Sequence, residues 1–182
     1  MSISYADMFN TLKPGFFGEA SIRSLPREHI FEEQVLDLRT FDVNAVNVPY
    51  PSQITFGFYS GDIAALREAV ALVDDDWVEY FDPEDQIYCA FDGDKVVSFC
   101  LLDAFGQYAG LRVGGPGCVG TIPEYRQQGI GLKMVQNATA ILKEQSYDLS
   151  YIHYTHVGHW YARLGYKTVL RWNSSGIISE EL

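Results

Sequence analysis

Basic residues are scarce in this sequence: 13 Lys and Arg stand against 24 Asp and Glu, for a net charge of −11. Nucleic-acid binding calls for a cationic face, so no nucleic-acid partner is expected. The acidic balance serves solubility first and also suits a cationic substrate. Cysteine is equally sparse. Cys89, Cys100 and Cys118 are odd in number, and their spacings of 11 and 18 fit no zinc motif. All three lie in apolar, strand-like runs, which reads as reduced core thiols of a cytoplasmic protein. No apolar run reaches the length of a membrane span, and Met1–Asp7 has neither the basic start nor the apolar run of a signal peptide. No membrane partner is expected. No G-x-S-x-G occurs and no cysteine has a nucleophile's setting, so covalent nucleophilic chemistry is not expected. There is no internal repeat and no low-complexity tract.

What is present is 182 residues, 47% hydrophobic and 14% aromatic, enough for one domain with a real core. Residues 1–52 read as a helical extension packed on the domain. Pro14-Gly15 and Pro26 punctuate short helical pieces. Glu28–Leu38, with Ile30, Phe31, Val35, Leu36 and Leu38 near helical spacing, reads as a helix. Val48-Pro49-Tyr50-Pro51 ends the extension.

From residue 53 onward the pattern becomes regular. Ile54–Tyr59 is a strand, and Ser60 or Asp62 caps a helix carrying Ile63, Leu66, Val70 and Val73. Asp74–Phe81 is a short helix with an acidic start. Gln86–Phe91 and Val96–Leu102 form a hairpin about Asp92-Gly93. A Gly-rich connection over 104–117 leads to a central strand. A helix from Gly129, a strand over 149–154, a helix over 157–164 and a strand over 166–172 follow, then a turn and a short apolar tail. The order β-α-α-β-β-β-α-β-α-β predicts an α/β (α+β) domain over 53–182, built on one mixed sheet with helices on its faces.

The stretch from Cys118 to Gly131 organises the chain. It reads as a strand, a stop at Pro123, a tight loop, and a helix start at Arg126-x-x-Gly129-x-Gly131. Glycines there let an anion approach the backbone, and the free N–H groups of a helix start hold it. The bland alternative is a plain helix N-terminus packed close to a strand. Two rival motifs fail on context. Gly115-x-Gly117-x-x-Gly120 runs into a strand rather than opening a helix, and no acidic residue follows at the ribose-binding distance. A Walker loop fails because Met134, not Ser or Thr, follows Lys133.

A second constellation is Trp160-Tyr161-Ala162-Arg163-Leu164-Gly165-Tyr166, preceded by His153, His156 and His159. The histidine spacing crosses from a strand through a loop into a helix, with no carboxylate or cysteine beside it. Packing and hydrogen bonding explain it better than a metal, and none is expected. Tyr161 alone reads as a core or cleft tyrosine.

Taken together, Arg126-x-x-Gly129-x-Gly131 and, 30 residues on, Tyr161-x-x-Leu164-Gly165-Tyr166 resemble the GNAT superfamily of acyl-CoA-dependent N-acyltransferases. The resemblance spans about residues 54–172 and implies a mixed, mostly antiparallel central sheet. It implies that Arg126, Gln127, Gln128, Gly129, Ile130 and Gly131 bind the pyrophosphate of coenzyme A through their backbone. It further implies that Val119 and Thr121 pair with the pantetheine arm, and that their strand splays from 149–154 to make a thioester slot. Tyr161 would protonate the leaving thiolate; a phenol near pKa 10 can act so at neutral pH.

Many family members carry a Glu or Asp on the central strand as general base, six residues before the proline; here that position is Gly117. Asp103 is the first substitute and Glu32 or Glu33 the next. Glu124 reads as solvated. The expected function is transfer of an acetyl group from acetyl-CoA, as co-substrate, to a small primary amine of polyamine, aminoglycoside or amino-sugar type. The alternatives are acetylation of a protein N-terminus or lysine, and a non-catalytic acyl-CoA-binding module. A homodimer is a family-level expectation.

Overall fold

Residues 3–181 are described by a computed structural model of the chain. Ser4 opens the first helix, α1 (Tyr5–Leu12), by accepting a hydrogen bond from the Asp7 N–H, and α1 buries Met8 and Phe9. A 3-10 turn (Phe16–Gly18) and a single helical turn, α2 (Ala20–Arg23), follow.

The next element corrects the sequence-based expectation. The stretch read as a helix over 28–38 is a strand, β1 (Phe31–Asp37). It pairs antiparallel with a neighbour on each side. Val35 packs on one face of the sheet and Leu36 on the other, the alternation a strand imposes. The apolar spacing misled because a strand covered on both faces loses the clean alternation that marks it in sequence. The extension is therefore helical only in its first half, and its strand belongs to the main sheet.

The rest follows the predicted order. β2 (Ile54–Phe58) leads to α3 (Ile63–Ala71), which Asp62 caps through the Ala64 N–H. A 3-10 turn (Asp75–Tyr80), capped by Asp74, stands where a short helix was expected. β3 (Ile87–Asp92) and β4 (Lys95–Tyr108) form the predicted Asp92-Gly93 hairpin. The Gly-rich connection over 104–117 is a second correction. β4 runs on to Tyr108, turns at Ala109-Gly110, and returns as β5 (Leu111–Thr121). Glycine usually weakens a strand. Here neighbours crowd the strand: a Cβ at Gly115 would run into the Tyr151 carbonyl, and one at Gly117 into the Asp103 carboxylate.

After β5 come α4 (Ile130–Glu144), β6 (Leu149–Thr155), α5 (Gly158–Ala162), β7 (Lys167–Asn173) and β8 (Gly176–Glu180). The apolar tail is thus a strand, paired with β7.

The sheet order is β2-β3-β4-β5-β6-β1-β7-β8. Only β5 and β6 are parallel, so the sheet is mixed and mostly antiparallel, as expected. Residue parity assigns its faces. Tyr88, Cys100, Leu102 and Ile152 pack with α4, whereas Ile87, Cys89, Phe99 and Leu101 pack with α3, and Leu149 and Tyr151 pack with α1. Helices α1 and α3 therefore share the face opposite α4. No helix among the described residues is long and apolar enough to cross a membrane.

Candidate active site

β5 and β6 pair only at Val113–Leu149 and Gly114–Ser150, and then part. A β-bulge marks the divergence. On β4, Leu101 faces Gly117 and Phe99 faces Gly120, so β5 carries one extra residue, and Cys118 sits there at φ +47°. Such bulges re-aim a strand and end its pairing. The far part of β5 keeps β4 on one side and lacks a strand on the other. A cleft of about 490 Å³ opens beside it, lined by Val119 and Thr121 of β5, the 125–132 segment, and Val157, His159, Trp160, Tyr161 and Arg163. Two motifs far apart in sequence face each other across it.

The loop before α4 is held by its own side chains. Arg126 Nε donates to the Thr121 carbonyl at 3.0 Å, and the Tyr125 hydroxyl donates to Asp92 at 2.9 Å. Glu124 is mostly exposed and pairs with Lys95 at 3.1 Å. Gln128 turns back to the Glu124 carbonyl and is absent from the cleft lining. Gly129 is the N-cap of α4 at φ +79°, and no side chain caps the helix. The first N–H groups of α4 are thus left for a ligand, at the positive end of the dipole. The bland reading of Gly129 is also met: any side chain there would run into the Pro49 carbonyl. This glycine therefore serves chain packing as well as an open helix start.

Tyr161 lies on α5 at the opposite wall, edge-on to Trp160 at 4.8 Å between ring centres. Burial, followed by the nearby Tyr166, Cys100 and Cys118, drives its pKa well above the usual phenol value, so it is protonated at neutral pH. Tyr166 anchors the motif from below. Its hydroxyl meets Thr139 of α4 at 2.8 Å and Ser150 of β6 at 2.7 Å, and burial pushes its pKa up to about 12. Of the three histidines, only His159 lines the cleft, and no group of three metal-ligating side chains occurs among the described residues.

Asp103 lies across from Gly117. Its register partner is Gly115, yet its carboxylate fills the space that a side chain at Gly117 would need. The space of the expected strand carboxylate is thus held by a carboxylate from the neighbouring strand. Burial raises the Asp103 pKa; Asp85 adds to this, while Lys13 and His153 oppose it.

The two other candidate carboxylates are engaged elsewhere. Glu32 pairs with Arg171 at 3.2 Å. Glu33 is fully buried and accepts from Trp172 Nε1 at 2.7 Å, His153 Nδ1 at 2.9 Å and the Tyr154 N–H at 3.1 Å. A carboxylate only accepts, so Nδ1 of His153 carries a proton. Sequence reasoning missed this network and the Cys118 bulge. The one local signal is an acidic pair, Glu32-Glu33, in an otherwise apolar run.

The parted central strands and the open helix start thus meet in one cleft. Residues 83–168 match the family model described as the acetyltransferase (GNAT) domain. That stretch of the chain, from β3 to the start of β7, is therefore similar to a GNAT acetyltransferase domain. Solved structures share the fold. The glucosamine N-acetyltransferase region of a fungal multi-domain GH3 β-N-acetylglucosaminidase aligns with TM-score 0.64 at 22% identity, over 80% of this chain and 20% of that one. A GCN5-related N-acetyltransferase from Sphaerobacter thermophilus gives 0.61 at 20% identity, over 82% and 51%. Another from Kribbella flavida gives 0.54 at 20%, over 85% and 60%. The chain therefore spans between 20% and 60% of the length of these proteins. No curated protein sequence gives a significant match.

Proposed function

We propose that this domain is an N-acetyltransferase that moves an acetyl group from acetyl-CoA directly to a small primary amine. The observation that carries the reading is the single cleft that joins the uncapped start of α4, the free edge of β5 and Tyr161. The α4 N–H groups and the Arg126–Gly131 backbone would hold the pyrophosphate, and the β5 edge at Val119 and Thr121 would take the pantetheine arm. Asp103 would accept the amine proton and Tyr161 would protonate the leaving sulfur. The carboxylate beside Gly117 favours catalysis over a purely binding module. The acidic surface favours a cationic acceptor, and the glucosamine-acetylating neighbour points toward an amino-sugar type.

The deciding experiment incubates the protein with acetyl-CoA and a panel of amino sugars, polyamines, aminoglycosides and peptides while following thiol release. Turnover on an amine is expected. Coenzyme A binding without turnover on any of them would instead support the binding module.

Two substitutions probe the walls. Tyr161→Phe is expected to lower kcat by about tenfold or more, as loss of a general acid does; an unchanged kcat would remove Tyr161 from that role. Gly131 faces the cleft, where a Cβ would lie 2.6 Å from Thr121 Oγ1 and 3.5 Å from the Trp160 ring. Gly131→Val is expected to weaken coenzyme A binding by about tenfold, roughly 1.4 kcal/mol, in a calorimetric titration. Unchanged affinity would move the donor site elsewhere.

A further inference from the structure

Lys13 is the C-cap residue of α1, and α1 ends on β4: a Cβ at Gly106 would touch Leu12 at 3.6 Å. From there the Lys13 ammonium lies over the Phe105 ring, 4.9 Å from its centre. It makes no ion pair among the described residues. Leu101, Asp103 and Phe105 alternate along β4. Leu101 packs in the cluster under α3 and Phe105 in the cluster under α1, so Asp103 lies between them on the same face. Two residues along a strand span about 7 Å, within the swing of a lysine side chain. Asp103 in turn touches the space above Gly117, where β5 leaves β6. Lys13, Asp103 and Gly117, on the strand that parts from β6, therefore follow one another across β4 and β5. The charge of Lys13 also acts on the Asp103 carboxyl, favouring its ionised form.

The four other lysines are placed differently. Lys95 pairs with Glu124, Lys133 donates to Gln136, and Lys143 donates to the Phe41 carbonyl. Lys167 is exposed on β7.

We propose that Lys13 is an acceptor in cis, so that the domain acetylates its own Lys13. This rests on the acyltransferase reading above. Asp103 takes a proton from the ammonium, and the freed Nζ lone pair forms a bond to the thioester carbonyl carbon. The C–S bond breaks, leaving acetyl-lysine and coenzyme A. Of the two protons that nitrogen gives up, one leaves through Asp103 to solvent. The other replaces the proton that Tyr161 hands to the sulfur.

The test incubates the full chain with acetyl-CoA and no added amine, and maps acetylation by peptide mass spectrometry over time. Lys13 is expected to be modified about tenfold faster or more than Lys95, Lys133, Lys143 and Lys167, which report uncatalysed acetylation. Its rate constant should not depend on protein concentration. Tyr161→Phe and Asp103→Asn should each slow Lys13 acetylation by about tenfold or more and leave the other four sites unchanged. Lys13→Arg should abolish the modification while coenzyme A binding persists as a check of folding. Modification of Lys13 no faster than the reference lysines, or untouched by both substitutions, would overturn the proposal. A rate proportional to protein concentration would overturn the cis assignment. Turnover of an external amine with Lys13 unmodified would also overturn it, and would leave the acyltransferase reading standing. Absence of any coenzyme A binding would strike that reading itself.

Discussion

Asp103→Asn is expected to lower kcat by about 10²- to 10⁴-fold, the usual contribution of a positioned proton acceptor, with coenzyme A affinity nearly unchanged. The side chain keeps its shape and its place beside Gly117 but can no longer take a proton. The proposed coenzyme A contacts lie on the opposite side of β5 and at the start of α4, so donor binding should not register the change. The pH profile gives a second readout. A base works only when ionised, so its contribution is lost as pH falls through its pKa. Burial holds the Asp103 pKa above the ordinary carboxyl value. The acid limb of kcat/KM should therefore lie above that value in the parent protein and be absent from the variant. The ratio of the two profiles removes the titration of the amine itself. A variant with unchanged kcat would place the base elsewhere. Gly117→Ala is the complementary change. Its methyl group would push the Asp103 carboxylate from its place, and activity should fall although no ionisable group is lost.

Glu33→Ala is expected to cost about 3–5 kcal/mol of stability, because several donors lose their acceptor at about 1–3 kcal/mol each. Glu33 is carried by β1, His153 and Tyr154 by β6, and Trp172 by β7, so one carboxylate ties three neighbouring strands. Alanine would leave the His153, Tyr154 and Trp172 N–H groups facing it without an acceptor, and unsatisfied buried donors cost about 1–3 kcal/mol each. Chemical denaturation should show the loss as a lower midpoint. Heating should show a drop of about 2–4 °C per kcal/mol for a domain of this size. Glu33→Gln keeps an acceptor oxygen and should be the milder variant. A cost for Glu33→Ala below about 1 kcal/mol, the net worth of a single ordinary hydrogen bond, would mean that water replaces the carboxylate. The aromatic layer of Phe16, Phe31 and Tyr154 packs around Trp172 at ring distances of 4.8–5.0 Å. It would then not seal this site.

The sequence by itself determined the features that local chemistry controls. Pro123 and Gly129 set the loop and helix start, Asp92-Gly93 the hairpin, and Asp62 a helix cap. Each depends on the backbone preferences of a few adjacent residues, so each is legible in a short window. The pairing of Arg126–Gly131 with Tyr161–Tyr166 resembles the GNAT superfamily, and the cleft brings those segments together. Only the tertiary structure decided the rest. β1 reads as a helix because Val35 and Leu36 pack on opposite faces of the sheet, and the strands it pairs with lie more than 100 residues away in the chain. The glycines of β5 read as a connection because the groups that exclude side chains there, the Tyr151 carbonyl and the Asp103 carboxylate, belong to other strands. Gly117 reads as a missing base for the same reason. The carboxylate that fills its place arrives through the register of β4, and register is a long-range property that no local window contains.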